Sequence, residues 1–133
     1  YILHGQGKNK NSFWSFHWHD HHKNARKSDN YDEDYLTHTV PAIKEKFSIF
    51  FLSLAHIPVA FVSPIFYLSL LFCAFNYLRM HKKAHLDVEW GKRHMPHHYD
   101  HHMGTNQDAN WCVTYDWFDR IARTRIRYEY LDR

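Results

Sequence analysis

Cysteine is scarce in this chain, and the little there is forms no pattern. Cys73 and Cys112 stand far apart with no C-x-x-C arrangement, so neither a disulfide framework nor a zinc ribbon is indicated, and a reducing compartment fits. A strong charge balance is missing too: the formal net charge is +3, and lysine and arginine come in short runs without a basic stripe along any expected helix. Nucleic acid is therefore not an expected partner, because phosphate-backbone binding needs a larger electrostatic footprint. Residues 47–78 contain no Asp, Glu, Lys or Arg. No haem, flavin or iron–sulfur motif is visible. At 133 residues the chain is one domain at most, and its opening on Tyr1 sets the expectation of a processed or partial product that lacks upstream helices.

Histidine is what the chain has instead. Of its 14 histidines, 11 fall at 17–22, 81–85 and 94–102. The last tract, His94-Met-Pro-His-His-Tyr-Asp-His-His102, holds two overlapping H-x-x-H-H patterns that share His98. Pro96 suits the first turn of a helix, which puts His98, His101 and His102 one to two turns in and on one face, with His94 and His97 at the helix mouth. Neutral imidazoles converging in this way suit zinc, iron or copper. A solvated, His-rich face is the plainer reading of the same tract.

The other two tracts extend the pattern. On an α-helix His17 and His21 lie four apart and His19 and His22 three apart, giving two neighbouring faces able to serve two metals. His81 and His85 are likewise one turn apart. The charged connector 23–34 reads as solvated, with Ser28 or Asp29 placed to cap a helix after it. His38 and His56 stand alone and read as structural.

The charge-free run 47–78, with Pro58 and Pro64 inside it, is too long for one membrane-spanning helix of about 20 residues and short for two. An apolar helical hairpin turning at the prolines resolves the mismatch. Such a hairpin would leave and re-enter on one side of a bilayer, bringing the His tracts together. Lys44, Lys46, Arg79, Lys82 and Lys83 at its ends would mark that side as cytosolic. A buried hairpin in a helical protein outside the membrane is the other reading of the run. Near the end of the chain, Asn110, Asp116 and Asp119 are candidates to accept the second ring N–H of metal-bound histidines. A surface helix end with an Asp–Arg pair explains the same residues equally well.

Together His81-x-x-x-His85, His98-x-x-His101-His102, Asn110 and Phe118-Asp-Arg-Ile resemble the fatty acid hydroxylase and sterol desaturase superfamily, whose members end on W-D-R-L-F-G-T. Here Ala122-Arg123 stands where Phe-Gly is expected. The resemblance spans the chain from His4 to Thr124 and implies an all-α membrane helical bundle with a His-rich metal site on the cytosolic side. It further implies two iron ions, with zinc possible in purified material, and O2 as co-substrate. The expected ligands are His4, His17, His19, His21, His22, His81 and His85 together with His98, His101 and His102, the last three also expected to be catalytic. Lys8 and Asn9 occupy the positions where a histidine should follow His4, so another residue such as His19 would supply that ligand, and the choice between His17 and His19 stays open. The implied reaction is hydroxylation or desaturation of a fatty acyl, sterol or related membrane lipid. Electrons would come from an external cytochrome b5-like or ferredoxin-like donor. A non-catalytic His-rich membrane protein binding zinc or copper, and a degenerate oxygenase with a structural role, are the alternatives.

Overall fold

The computed structural model describes residues 2–37 and 39–129; His38 lies outside them. The described residues are helical, with no strand among them. A short α1 (Ile2–Gly7) is followed by a π-helical turn (Phe16–His22) that runs straight into α2 (Lys23–Lys27), and then by α3 (Asp34–Thr37). The hairpin comprises α4 (Val40–Ala55), a linking α5 (Ile57–Val62) and α6 (Pro64–Leu86). After it come α7 (Val88–His94), α8 (Pro96–Met103) and α9 (Trp117–Ala122).

Proline and aspartate set these boundaries. Pro41, Pro58, Pro64 and Pro96 each occupy the first or second position of a helix, where a missing N–H costs nothing because no partner would receive it. Asp87 caps α7 by accepting the Trp90 N–H at 3.1 Å. Ser28 and Asp29 do not cap a following helix: Ser28 ends α2, and Asp29 and Asn30 turn the chain through the left-handed region at φ 48 and 72. The Asp29 carboxylate instead accepts from Tyr99 Oη at 2.5 Å and Lys92 Nζ at 3.0 Å, tying this turn to α7 and α8.

The hairpin forms, but the expectation of an integral-membrane chain with a cytosolic-side site is corrected. No helix among the described residues is long and apolar enough to cross a membrane. The reason is where the charges fall along each arm. Lys44, Glu45 and Lys46 occupy the first turns of α4 and leave a charge-free arm of roughly 13 Å, at 1.5 Å per residue. In α6 the charge-free part ends before Arg79, roughly 22 Å along, and a bilayer core is about 30 Å thick. The prolines that make the turn also divide the run, so neither arm inherits its full length. Around the turn Phe61, Val62 and Ile65 are at least 80% exposed.

The interior is polar to an unusual degree. Among the described residues eight apolar or tyrosine side chains are buried, four of them alanines, against sixteen buried polar ones, ten of which are histidines. Met95, at 1% exposure, is the largest apolar side chain that is fully buried. Such an interior supplies little hydrophobic stabilisation at about 25 cal/mol per Å2 of apolar surface. Something has to hold the histidines together.

Close helix approach contributes to that. α7 folds back on α6, and a Cβ added at Gly91 would lie 2.8 Å from the Ala84 carbonyl oxygen, next to His85. Alanine normally stabilises a helix interior by about 1 kcal/mol relative to glycine. Gly91→Ala should instead lose about 1–3 kcal/mol through overpacking, read as a lower urea midpoint. A midpoint equal to or above wild type would show that the α6–α7 approach is not tight.

Candidate metal centre

Two groups of four histidines meet where α1, the π-helical turn, α6 and α8 converge. Site 1 comprises His4, His17, His22 and His101; site 2 comprises His21, His81, His85 and His102. Within each group one ring nitrogen per residue lies within 4.8 Å of the others. The eight rings are buried, His17 being the most exposed at 9%. The groups adjoin: the His22 and His102 ring centroids are 4.3 Å apart.

Each helix contributes to this by its own geometry. His81 and His85 stand one turn apart on α6 and both enter site 2. Adjacent residues on a helix point about 100° apart, so the two doublets divide: His21 enters site 2 and His22 site 1, while His101 enters site 1 and His102 site 2. The π-helical turn selects among the early histidines. An i→i+5 repeat brings His17 and His22 onto one face, with their Nε2 atoms 3.3 Å apart. His19 falls on another face, its Nε2 3.1 Å from the Lys8 carbonyl oxygen, and joins neither group. The α-helical spacing read from sequence paired His22 with His19; the wider turn pairs it with His17.

The remaining histidines of the third tract separate by depth. His98 is buried at the edge of site 2, its Nε2 3.1 Å from His85 Nε2, and its Nδ1 has no hydrogen-bond partner. His97 Nε2 lies 2.8 Å from the Val113 carbonyl, outside both groups. His94 is exposed and stacks on Trp90 at 4.8 Å.

Ring orientation is fixed from behind. In site 2, His21 Nδ1 donates to Asp32 Oδ2 at 2.9 Å, His81 Nδ1 to Glu45 Oε1 at 2.5 Å, and His85 Nδ1 to the Asn30 carbonyl at 2.7 Å. In site 1, His101 Nδ1 donates to the Ala109 carbonyl at 2.7 Å. Asp108 Oδ1 stands 3.4 Å from His4 Nδ1. In His21, His81, His85 and His101, with Nδ1 so engaged, Nε2 is the ring atom left to face inward. The side chains of Asn110, Asp116 and Asp119 form their hydrogen bonds away from the eight rings. Asp119 accepts from the backbone N–H groups of Trp111 and Cys112 and from Thr124 Oγ1. Asn110, at φ 56, binds both backbone groups of Ile126, and Asp116 pairs with Arg120 and Arg125. These three hold the segment whose Ala109 and Val113 carbonyls meet His101 and His97. Asp32 and Glu45, which do touch ligand rings, lie in stretches with no histidine motif nearby, so no local spacing announces them.

Burial disfavours protonating six of the eight rings and His98 beside them. It is the main cause that holds His4 down to about 3 and His101 down to about 4, with repulsion from neighbouring imidazoles adding to it in both. The same causes depress His17, His22, His85, His98 and His102 well below the usual histidine range. Burial works against the Glu45 carboxylate, but His81, His21 and the Tyr77 hydroxyl outweigh it and hold the group at about 2. Several inward nitrogens, among them His4 Nε2, His21 Nε2, His81 Nε2 and both nitrogens of His102, have no hydrogen-bond partner. Buried polar atoms are rarely left so, and neutral imidazoles with free inward lone pairs are what transition metals bind. The residues present fit two metal ions.

No protein-family model, curated protein or solved structure matches the chain. The reading of the centre therefore rests on its own geometry and chemistry.

Acid should undo the metal-free chain. Above about pH 6.5 the rings depressed by burial, His4, His17, His22, His85, His98, His101 and His102, are neutral in folded and unfolded states alike and contribute no pH dependence. Below it the unfolded rings take up protons that the folded ones refuse, costing about 1.4 kcal/mol per pH unit per ring, down to about pH 4 for His101. Circular dichroism of metal-free protein should show helicity collapsing between those values. Full helicity retained at pH 4 would contradict the neutral, buried assignment.

Proposed function

We propose that this chain binds two iron ions, one in each four-histidine site, and uses them with O2 to oxidise a C–H bond of a fatty acyl, sterol or related lipid by hydroxylation or desaturation. The observation that carries the reading is the pair of adjoining all-imidazole sites joined by two His-His doublets. One structural ion would need one such site. Two side by side, reached by no charged ligand, suit chemistry in which two metals act on one small molecule. Bound iron would supply the reduction of O2. The chain itself orients the rings through Asp32, Glu45 and backbone carbonyls, and keeps water out by burying them. The apolar surface of α4, α5 and α6, whose far arm ends in His81 and His85, is consistent with an apolar substrate. Reducing equivalents would come from an external cytochrome b5-like or ferredoxin-like protein.

A second reading has its own observation. Four imidazole nitrogens fill the tetrahedral shell of a structural zinc ion with no position left open. On that reading the protein stores, senses or is folded by zinc or copper and consumes no O2.

Metal analysis of protein taken from its native cells, with lipid products profiled alongside, separates the two. The oxidase reading expects iron at two ions per chain, an O2-dependent lipid product, and loss of that product by about 100-fold or more in His101→Ala. Stoichiometric zinc with an unchanged lipid profile would refute it.

A further inference from the structure

The two sites are alike in ligand type and unlike in what stands behind the ligands. Site 2 is backed by two buried carboxylates on separate elements. Asp32, 2% exposed, accepts from His21 Nδ1; Glu45, 9% exposed, accepts from His81 Nδ1 and from the hydroxyls of Tyr35 and Tyr77, both at 2.9 Å. None of these partners is a lysine or arginine, so their negative charge is directed at the His21 and His81 rings. In site 1 the one carboxylate beside a ring nitrogen is Asp108, whose side chain is 48% exposed and already engaged by Lys8 Nζ at 2.6 Å; the buried Asp119 acts on His101 without a hydrogen bond to it, its oxygens being taken by Trp111 N–H, Cys112 N–H and Thr124 Oγ1. The other established ring anchor of site 1 is the uncharged Ala109 carbonyl. His98 adds a fifth buried imidazole at the edge of site 2, its Nε2 3.1 Å from His85 Nε2, without joining the four-ring group.

A divalent ion entering four neutral rings carries its whole charge into a buried space. Two buried anions, hydrogen-bonded directly to ligand rings and paired with no lysine or arginine, offset that charge at site 2 and make its imidazoles stronger donors, while the anion bonded nearest site 1 is screened by water and a lysine and Asp119 is committed to backbone N–H groups. We propose that site 2 is the tighter of the two metal positions, filling first on loading and emptying last on chelation, and that Asp32 and Glu45 are the positioning residues responsible. The inference rests on the two-metal reading of the centre.

Cobalt(II) alone, added to the metal-free full chain and then withdrawn against a graded chelator, tests it, with bound cobalt read by mass spectrometry and visible absorption. Wild type should lose its ions in two separated steps. His17→Ala should keep the tight step and His21→Ala should abolish it, which assigns the steps to the sites. Glu45→Gln retains an acceptor oxygen for His81 but removes the charge, so a purely geometric anchor would be preserved by it. Instead the tight step should weaken by about 10–100-fold with the loose step unmoved, and Asp32→Asn should do the same. Asp108→Asn should leave the order of the steps intact. Should Glu45→Gln fail to fold by circular dichroism, Asp32→Asn decides alone. Two ions lost in one indistinguishable step, or both charge-removing variants matching wild type, would overturn the inference while leaving two-metal binding in place. No cobalt bound by wild type would instead refute the two-metal reading itself.

Discussion

Everything in this molecule depends on the divergence of neighbouring side chains on a helix. Because consecutive residues point about 100° apart, a His-His doublet cannot send both rings to one point. In this chain His21-His22 and His101-His102 each straddle the boundary between the two four-ring groups. The doublets are therefore hinges of the centre as well as parts of it. They make the sites adjoin, and they oblige the π-helical turn and α8 to face each other. α1 closes site 1 with His4, and the end of α6 closes site 2 with His81 and His85.

That arrangement replaces what an ordinary small domain has in its core. Among the described residues ten buried histidines occupy the space where larger apolar side chains would pack, and burial disfavours protonating eight of them. Neutral rings crowded together with unpartnered nitrogens are a poor core on their own. Holding metal they would become a source of stability, since ligands that are assembled only in the folded state convert binding free energy into folding free energy. The apolar residues are meanwhile displaced outward onto the hairpin, where Phe47, Phe61 and Phe72 are more than half exposed.

How far the sequence reveals this differs along the chain. The all-helical class, the hairpin at Pro58 and Pro64, and the start of α8 at Pro96 are legible because proline and apolar run length act locally. So is the i,i+4 pair His81 and His85, whereas the tract 98–102 is legible only in part: His101 and His102 enter different groups and His98 joins neither. The membrane span is not what the structure holds, because run length in sequence ignores how turns and charged helix ends divide it. The pairing of His17 with His22 is hidden by a π-helical turn, whose spacing no α-helical template anticipates. Asp32 and Glu45 are hidden more deeply. They reach His21 and His81 across 11 and 36 residues of chain, and only the fold brings them there. Asn110 and Asp119, by contrast, signal importance correctly but act on backbone around the centre rather than on its rings.

The central claim is that two transition-metal ions sit side by side, each ringed by imidazoles from both halves of the chain. A crystal structure of protein purified from its native cells, with anomalous differences collected at the iron absorption edge, tests it most directly. The account predicts two peaks, one enclosed by His4, His17, His22 and His101 and the other by His21, His81, His85 and His102. A single peak, or none within these groups, would contradict it.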